Sequence, residues 1–249
     1  WMARYPTLSA LAAAPRADVI RAWAGLGYNL RAVRLHEIAR QAVERYGGQL
    51  PATPEDLLSL KGIGRYTAGA VMCFAHNAPE PVLDTNVRRV LGRIFAAEAP
   101  QAIDDDRVAW PLAAAALPDA ADVYDWNQAL MDVGATICLS RAPRCLLCPA
   151  QDSCTARREW FAPSGVTSAV AETPVAYATR RPKQGKFEGS RRWYRGRIVD
   201  ALREASAGVA LSDLAARIDL DPVHASEVVE GLVRDGLVEF ERGVARLPS

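Results

Sequence analysis

The feature that most limits how this chain can fold is a cysteine array just past its middle. Cys138, Cys145, Cys148 and Cys154 follow a C-x6-C-x2-C-x5-C spacing. Four thiols this close in sequence converge on one centre when a loop wraps around it, so residues 138–156 read as such a loop. Trp1 to Pro6 lacks the charged, apolar and small pattern of a secretion signal. Metal ligation therefore outranks disulfide formation. Zinc is the generic occupant of a four-cysteine site, but zinc ribbons carry two C-x2-C knuckles and this array has one. The asymmetric wrap suits a [4Fe–4S] cluster better, with zinc as the alternative. A fifth cysteine, Cys73, stands apart on an apolar helix face and reads as a small core residue.

A second local feature lies upstream. Leu60-Lys61-Gly62-Ile63-Gly64-Arg65-Tyr66-Thr67 places two glycines around one apolar residue, followed by a helix-forming run rich in small residues. Glycine reaches backbone angles other residues avoid, so the chain can turn sharply here between two helices. Amides at the start of the second helix then suit an anion such as a backbone phosphate. Alone, a G-x-G pattern is common in turns. Its neighbours make it informative.

The surrounding sequence is a series of short helical stretches. Thr7–Pro15 is one helical turn, and Ala17–Gly25 carries Val19, Ile20, Trp23 and Ala24 at the spacing of a buried face. Leu30–Tyr46 is a longer amphipathic helix ending at Gly47-Gly48. Pro51–Leu60 follows, with Thr53 as N-cap and Pro54 at the first position. Helices are expected from Tyr66 to about His76, Asp84 to Phe95, Asp104 to Leu117 and Tyr124 to Cys138. No alternating strand precedes about residue 165, so the first part is mainly α. Residues 157–189 shift to Pro, Thr, Ser, Arg and Lys and read as a linker. Helices over Arg192–Ala205, Leu211–Ile218 and Pro222–Asp235 then lead into an alternating hairpin around Gly243. Three helices and a hairpin make residues 190–249 a winged-helix-like module.

Formal net charge is only +1 over 249 residues, so bulk charge does not announce a polyanion partner. Its distribution does. From Arg180 to Arg203 there are nine Lys or Arg against two acids, Glu188 and Asp200. Such a block suits a phosphate-tracking surface as well as a solvated face, and it favours DNA contact over simple packing for the C-terminal module. No apolar run approaches the roughly 18–20 residues needed to cross a bilayer. The chain is expected to be cytoplasmic, nucleoid-associated and monomeric.

Taken together, the turn at Leu60–Val71, the segment Val82-Leu83-Asp84-Thr85-Asn86-Val87-Arg88-Arg89-Val90 and the cysteine array resemble the helix-hairpin-helix base-excision DNA glycosylases. The closest resemblance within them is to the MutY-type adenine DNA glycosylases, which act on adenine opposite 8-oxoguanine or guanine. Trp23–Tyr28, Arg31-Ala32 and Asn127–Ala135 match as well, so the resemblance runs from Trp1 to about Cys154. It implies a glycosylase domain over residues 1–137 and a [4Fe–4S] loop held by Cys138, Cys145, Cys148 and Cys154.

The resemblance also assigns roles. Breaking an N-glycosidic bond leaves positive charge on the sugar, which a nearby carboxylate stabilises. Asp84 occupies that position; its alternative role is that of a helix N-cap. Asn86 matches a residue that helps hold this carboxylate, and Tyr66 one that lies near the target sugar or packs the hairpin. Lys61, Gly62, Ile63, Gly64, Arg65, Thr67 and Arg88 form the expected DNA-binding set, the glycine turn gripping a phosphate through its amides. The base must leave the duplex stack to be cut. Trp23 is expected in the core, and Tyr28 and the Asn127–Asp132 face in the pocket or the core. No lysine occurs from Tyr66 to His76, which disfavours lyase chemistry through a Schiff base.

Two departures from the family pattern stand out. The general-acid Glu expected on an early helix belongs before Trp1, and Glu37 and Glu44 do not match it, so base excision by these 249 residues is expected to be strongly impaired. Nothing after Gly189 resembles the Nudix-like domain many relatives carry; the compact tail and Asp84-Thr85-Asn86 look like actinobacterial variants. A thymine or uracil mismatch glycosylase and a non-catalytic DNA-binding relative are the alternative readings.

Overall fold

Short polar side chains start several of the helices in the computed structural model, which describes residues 1–96, 103–160 and 185–249. Thr7 Oγ1 accepts from the amide of Ala10 at 3.1 Å to open α1 (Leu8–Ala13). Helix α2 (Arg16–Ala22) follows Pro15, and α3 (Leu30–Tyr46) ends on Gly47 in the left-handed region. Thr53 Oγ1 accepts from Asp56 at the start of α4 (Pro54–Ser59). Next come α5 (Arg65–His76), α6 (Thr85–Phe95) and α7 (Asp106–Ala115). Helix α8 (Val123–Asp132) stops short of the expected Cys138 and passes into a π turn over Val133–Ile137. Thr136 Oγ1 donates to the Asp132 carbonyl at 2.7 Å there, competing with the α-helical ladder. Helix α9 (Thr155–Trp160) takes the first residues of the expected linker. Most of the rest of that linker, and the start of the basic block, fall on residues 161–184, outside the described residues.

In the C-terminal region, Ser190 caps α10 (Arg191–Glu204). Strand β1 (Val209–Ala210), α11 (Leu211–Ile218) and α12 (Pro222–Arg234) follow. Asp221 caps α12, and Pro222 sits where its missing N–H costs nothing. Strands β2 (Glu239–Glu241) and β3 (Val244–Arg246) form the expected hairpin, and β1 joins it to give the antiparallel order β1-β3-β2. Ala245 lies opposite both Val209 and Phe240. Two residues are too few to show alternation, so β1 leaves no trace in the sequence pattern.

Contacts divide the chain into two compact units that do not follow chain order. One holds residues 1–51, 59–63 and the described residues from 185 onward. Its larger core buries Ile198, Leu202, Leu214, Ile218 and Leu232, and Ile20 of α2 is buried in the same cluster. Burying one isoleucine contributes about 1.5–3 kcal/mol. Arg203 fastens α2 to α10 by donating to the Ile20 carbonyl at 3.1 Å and to Asn29 Oδ1 at 2.8 Å. A second cluster gathers Tyr5, Leu11, Val19 and Trp23. The buried Trp23 gives its indole N–H to the Gly27 carbonyl at 2.7 Å.

The other unit holds residues 52–58 and the described residues between 64 and 160. Helix α6 forms its centre, with Val87, Val90, Leu91 and Ile94 packed on Ile103, Trp110, Ala113 and Leu130. Cys73 is buried with Val82 and Val123.

Candidate active site and cysteine loop

Asp84 is the N-cap of α6 in extended geometry. One carboxylate oxygen, Oδ1, accepts from the amides of Asn86 at 2.8 Å and Val87 at 2.7 Å. The other, Oδ2, meets only the Asn86 side-chain amide, at 3.4 Å, among the described residues. The backbone thus fixes the direction of the half-buried carboxylate and leaves one oxygen lightly engaged. Capping and presenting a charge are compatible here, because they use different oxygens.

Two missing side chains and one buried amide set the position of this segment. A Cβ on Gly69 of α5 would lie 2.5 Å from the Pro81 carbonyl oxygen, so α5 reaches the backbone ahead of Asp84 only because residue 69 is glycine. On the π turn, a Cβ on Gly134 would lie 2.8 Å from Asn86 Cβ. Asn127 of α8, 1% exposed, closes the remaining side. Its Oδ1 accepts from Val82 N at 3.0 Å, and its Nδ2 donates to the carbonyls of Glu80 at 3.0 Å and Val123 at 3.1 Å. Asn127 is therefore a core clamp on the loop that leads to Asp84.

Arg89, one turn into α6, connects the carboxylate to the cysteines. Its Nη2 donates to Asn86 Oδ1 at 2.9 Å and to the Gly134 carbonyl at 2.7 Å, and its Nε to the Cys138 carbonyl at 2.9 Å. Burial lowers the Arg89 pKa, while the Cys138 sulfur and the Asp84 carboxylate pull it back up and Arg93 adds to the lowering. One turn further, Arg93 is 1% exposed and donates to the carbonyls of Leu139 at 2.7 Å and Ser140 at 3.0 Å. Its Nη1 also stands 3.3 Å from Cys138 Sγ. Thr155 Oγ1 donates to the Ile94 carbonyl at 2.8 Å, so the end of α6 holds the far side of the loop as well. One helix, about 16 Å long at 1.5 Å per residue, carries the carboxylate at its start and the cysteine loop along its later turns.

All four loop cysteines and Arg93 line one cavity, and all four thiols are free. Burial pushes the Cys145 thiol up, reinforced by Cys138 and Cys154 and opposed by Arg93. Burial also raises Cys154, against a hydrogen bond from the Arg157 amide. Among the described residues no group of three or more His, Cys, Asp or Glu side chains is close enough together to hold a single metal ion.

The expected DNA-binding residues do not all behave alike. Gly62 takes φ +109°, and the Ile63 amide closes the turn onto the Leu60 carbonyl at 3.1 Å. Gln41 of α3 grips this turn from both sides, accepting from the Lys61 amide at 2.9 Å and donating to its carbonyl at 3.4 Å. Gly64 precedes α5 and offers no side chain to cap it, which leaves first-turn amides for another acceptor. Lys61, Tyr66 and Thr67 are exposed, and no hydrogen bond joins Tyr66 to Asp84 among the described residues. The Arg65 guanidinium lies over Trp110, 4.2 Å from the ring centroid. Arg88 differs most from expectation. It donates to the Ile103 carbonyl at 2.6 Å and pairs with Asp106, so its charge is spent on tying α6 to the start of α7.

Sequence reading missed Arg89, Arg93 and Gly134. The signal available was two arginines at i and i+4 on α6, and nothing local marks them as donors to a distant loop.

Comparison with known proteins agrees with this geometry. Residues 1–111 match the family model described as HhH-GPD superfamily base excision DNA repair protein. An adenine DNA glycosylase of Mycolicibacterium smegmatis is 40% identical over 241 residues, covering 96% of this chain and 76% of that protein. An adenine DNA glycosylase of Mycobacterium tuberculosis strain H37Rv is 38% identical over 239 residues, covering 96% of this chain and 74% of that protein. The human adenine DNA glycosylase is 45% identical over 160 residues, covering 64% of this chain and 29% of its own length. A solved thermostable thymine-DNA glycosylase superposes with TM-score 0.58 at 29% identity over 64% of this chain and 73% of its own. Endonuclease III in a non-covalent DNA complex, at TM-score 0.54 and 22% identity over 64% of this chain and 72% of that one, shares the fold. The chain belongs to the adenine DNA glycosylase family of the HhH-GPD superfamily.

Proposed function

We propose that this protein removes adenine from double-stranded DNA, opposite 8-oxoguanine or guanine, by hydrolysing its N-glycosidic bond in base-excision repair. The observation that carries the reading is the Asp84 carboxylate, whose Oδ1 is fixed by two backbone amides and whose Oδ2 is nearly unused. A carboxylate held this way faces developing positive charge on a sugar without reorganising, which is how preorganised electrostatics lowers a barrier. Asn86 orients it, and Arg89 and Gly134 orient Asn86. The glycine turn at Lys61–Gly64 and the uncapped start of α5, with Arg65 and Thr67, supply amides and charge for a DNA phosphate. Tyr66 stands exposed on the same first turn, available to the sugar of a flipped nucleotide.

A [4Fe–4S] cluster on Cys138, Cys145, Cys148 and Cys154 fits the donor set, since four free thiols line one cavity beside a buried guanidinium. One C-x2-C knuckle within an asymmetric wrap suits a cube of four irons better than zinc. When bound, the cluster supplies a rigid, covalently tied core for the loop. The chain's own residues then transmit that order, because Arg93 and Arg89 hold the loop carbonyls from α6. Helices α10–α12 and the β-hairpin form a winged-helix-like module after the linker. The protein acts as a monomer on nucleoid DNA in the cytoplasm.

A thymine or uracil mismatch glycosylase is the second reading, favoured by the shared fold with the thymine-DNA glycosylase. Single-turnover release and equilibrium binding, measured on A:8-oxoG, A:G, T:G and U:G duplexes, separate the two. Tightest binding to A:8-oxoG is expected, with adenine the base in whatever slow release these 249 residues sustain; binding reads out even where turnover is lost. Asp84→Asn should keep binding and lose whatever release the wild type shows. Release of pyrimidine alone would overturn the adenine assignment.

A further inference from the structure

The C-terminal helices share more than a core with the N-terminal ones. Within their single compact unit, a cleft of about 840 Å³ opens between the Gly25–Arg34 segment and α10. Five arginines line it, Arg31, Arg34, Arg192, Arg195 and Arg203, against one carboxylate, Asp200. Two of the five have carboxylate partners among the described residues. Arg203 pairs with Asp200, and Arg195 with Asp235. Among the described residues Arg31, Arg34 and Arg192 meet no carboxylate.

Two of these three cations are held rather than loose. Arg31 lies over the Trp23 ring at 5.7 Å, and Arg192 over Phe187 at 5.2 Å while donating to the Gly185 carbonyl at 3.3 Å. Arg34 stands at the glycine turn itself, since a Cβ on Gly62 would lie 3.8 Å from Arg34 Cβ. A line of unpaired positive charge therefore runs from Lys61–Gly62 over Arg34 and Arg31 to α10, all in one unit. Unpaired like charges on facing walls repel, and an external anion relieves that repulsion. The guanidinium fork matches phosphate oxygens. A line that leaves the turn and enters an open cleft suits a chain of phosphates better than a single one.

We propose that α10, through Arg192 and together with Arg31 and Arg34, binds the sugar–phosphate backbone of DNA beyond the glycine turn. The C-terminal module is then a second arm of the DNA-binding surface. This rests on the DNA-repair reading above, and the test separates the two.

Gly196 provides a test that spares the fold. It lines the cleft in mid-helix, and a Cβ added there meets nothing within 4 Å. The assay is equilibrium binding of the whole chain to a fluorescent A:8-oxoG duplex across a salt series. Arg192→Glu and Gly196→Glu are each expected to weaken binding by about tenfold at low salt. They should also flatten the slope of log K against log salt by about 0.9 for each phosphate that is no longer neutralised. Gly196→Lys should tighten binding. If the two Glu variants keep wild-type affinity and slope while Lys61→Ala weakens binding, the cleft does not touch DNA and only the turn does. Equal weakening by Glu and Lys at 196 overturns the electrostatic argument. Salt-independent binding by the wild type overturns both this proposal and the reading it rests on.

Discussion

Arg89→Met is the sharpest test of how the carboxylate is held. The substitution keeps an unbranched apolar stem and deletes the donors to Asn86 Oδ1, the Gly134 carbonyl and the Cys138 carbonyl. Hydrogen bonds involving a charged group contribute about 1.5–3 kcal/mol each, so three would sum to roughly 4.5–9 kcal/mol. They share one guanidinium, however, and burial of that group costs part of the sum. Breaking a buried, charged network of this kind costs about 3–5 kcal/mol net. At 1.4 kcal/mol per factor of ten, amides of α6 should exchange with solvent roughly 10²- to 10⁴-fold faster. Native-state hydrogen exchange on peptides covering Thr85–Phe95 measures this directly. Arg89→Lys should recover at most one of the three bonds and sit close to the Met variant. Exchange in Arg89→Met within about threefold of wild type, or full recovery by lysine, would refute the claim that a three-pronged donor fixes this segment.

Two other substitutions probe separate parts of the reasoning. Gly134→Ala sets a Cβ 2.8 Å from Asn86 Cβ; overpacking costs about 1–3 kcal/mol against a gain of up to about 1 from losing glycine, so Tm should fall by a few degrees. A raised Tm would mean the close approach carries no constraint. His36, on α3, has its pKa lowered, first by burial and then by Arg16, with the carbonyls of Ala12 and Ala14 pulling upward and Arg40 adding last to the lowering. An unfolded imidazole titrates near 6.5, so above that pH both states are neutral and this term is flat. As pH falls below about 6.5 the unfolded chain takes the proton first and stability drops, levelling only once the folded ring titrates. His36→Leu should remove that segment of the stability–pH curve, and an unchanged slope between pH 6.5 and about 5 would contradict it.

Local signals carried a good part of this site. The turn at Gly62 could be read because glycine is what a φ of +109° requires, and the cysteine loop because ligands crowd into one wrap. Asp84 was visible as a helix cap, and Asn86, two residues on, through the family resemblance. What escaped depends on partners far along the chain. Arg89 and Arg93 donate to carbonyls 45 to 49 residues away, and backbone acceptors have no sequence signature. Arg88, by contrast, looked available and is spent on Asp106. Gly69 reads as one more small residue in a small-residue helix until the Pro81 carbonyl is seen against it. Helix α8 ended early because a π turn obeys hydrogen-bond competition rather than apolar periodicity.

The burial of Ile20 among the C-terminal helices has a genetic consequence. A premature stop codon between the cysteine loop and α10 would remove residues 198–247 from around that side chain and from around Leu30 and Val33. Arg203, which ties down the Ile20 carbonyl and Asn29, would go with them. Such an allele would not encode an enzyme trimmed of an accessory. It would strip the helices that brace the glycine turn of one of their two cores, leaving only the Tyr5, Leu11, Val19 and Trp23 cluster, and is expected to segregate as a null rather than as a partial loss.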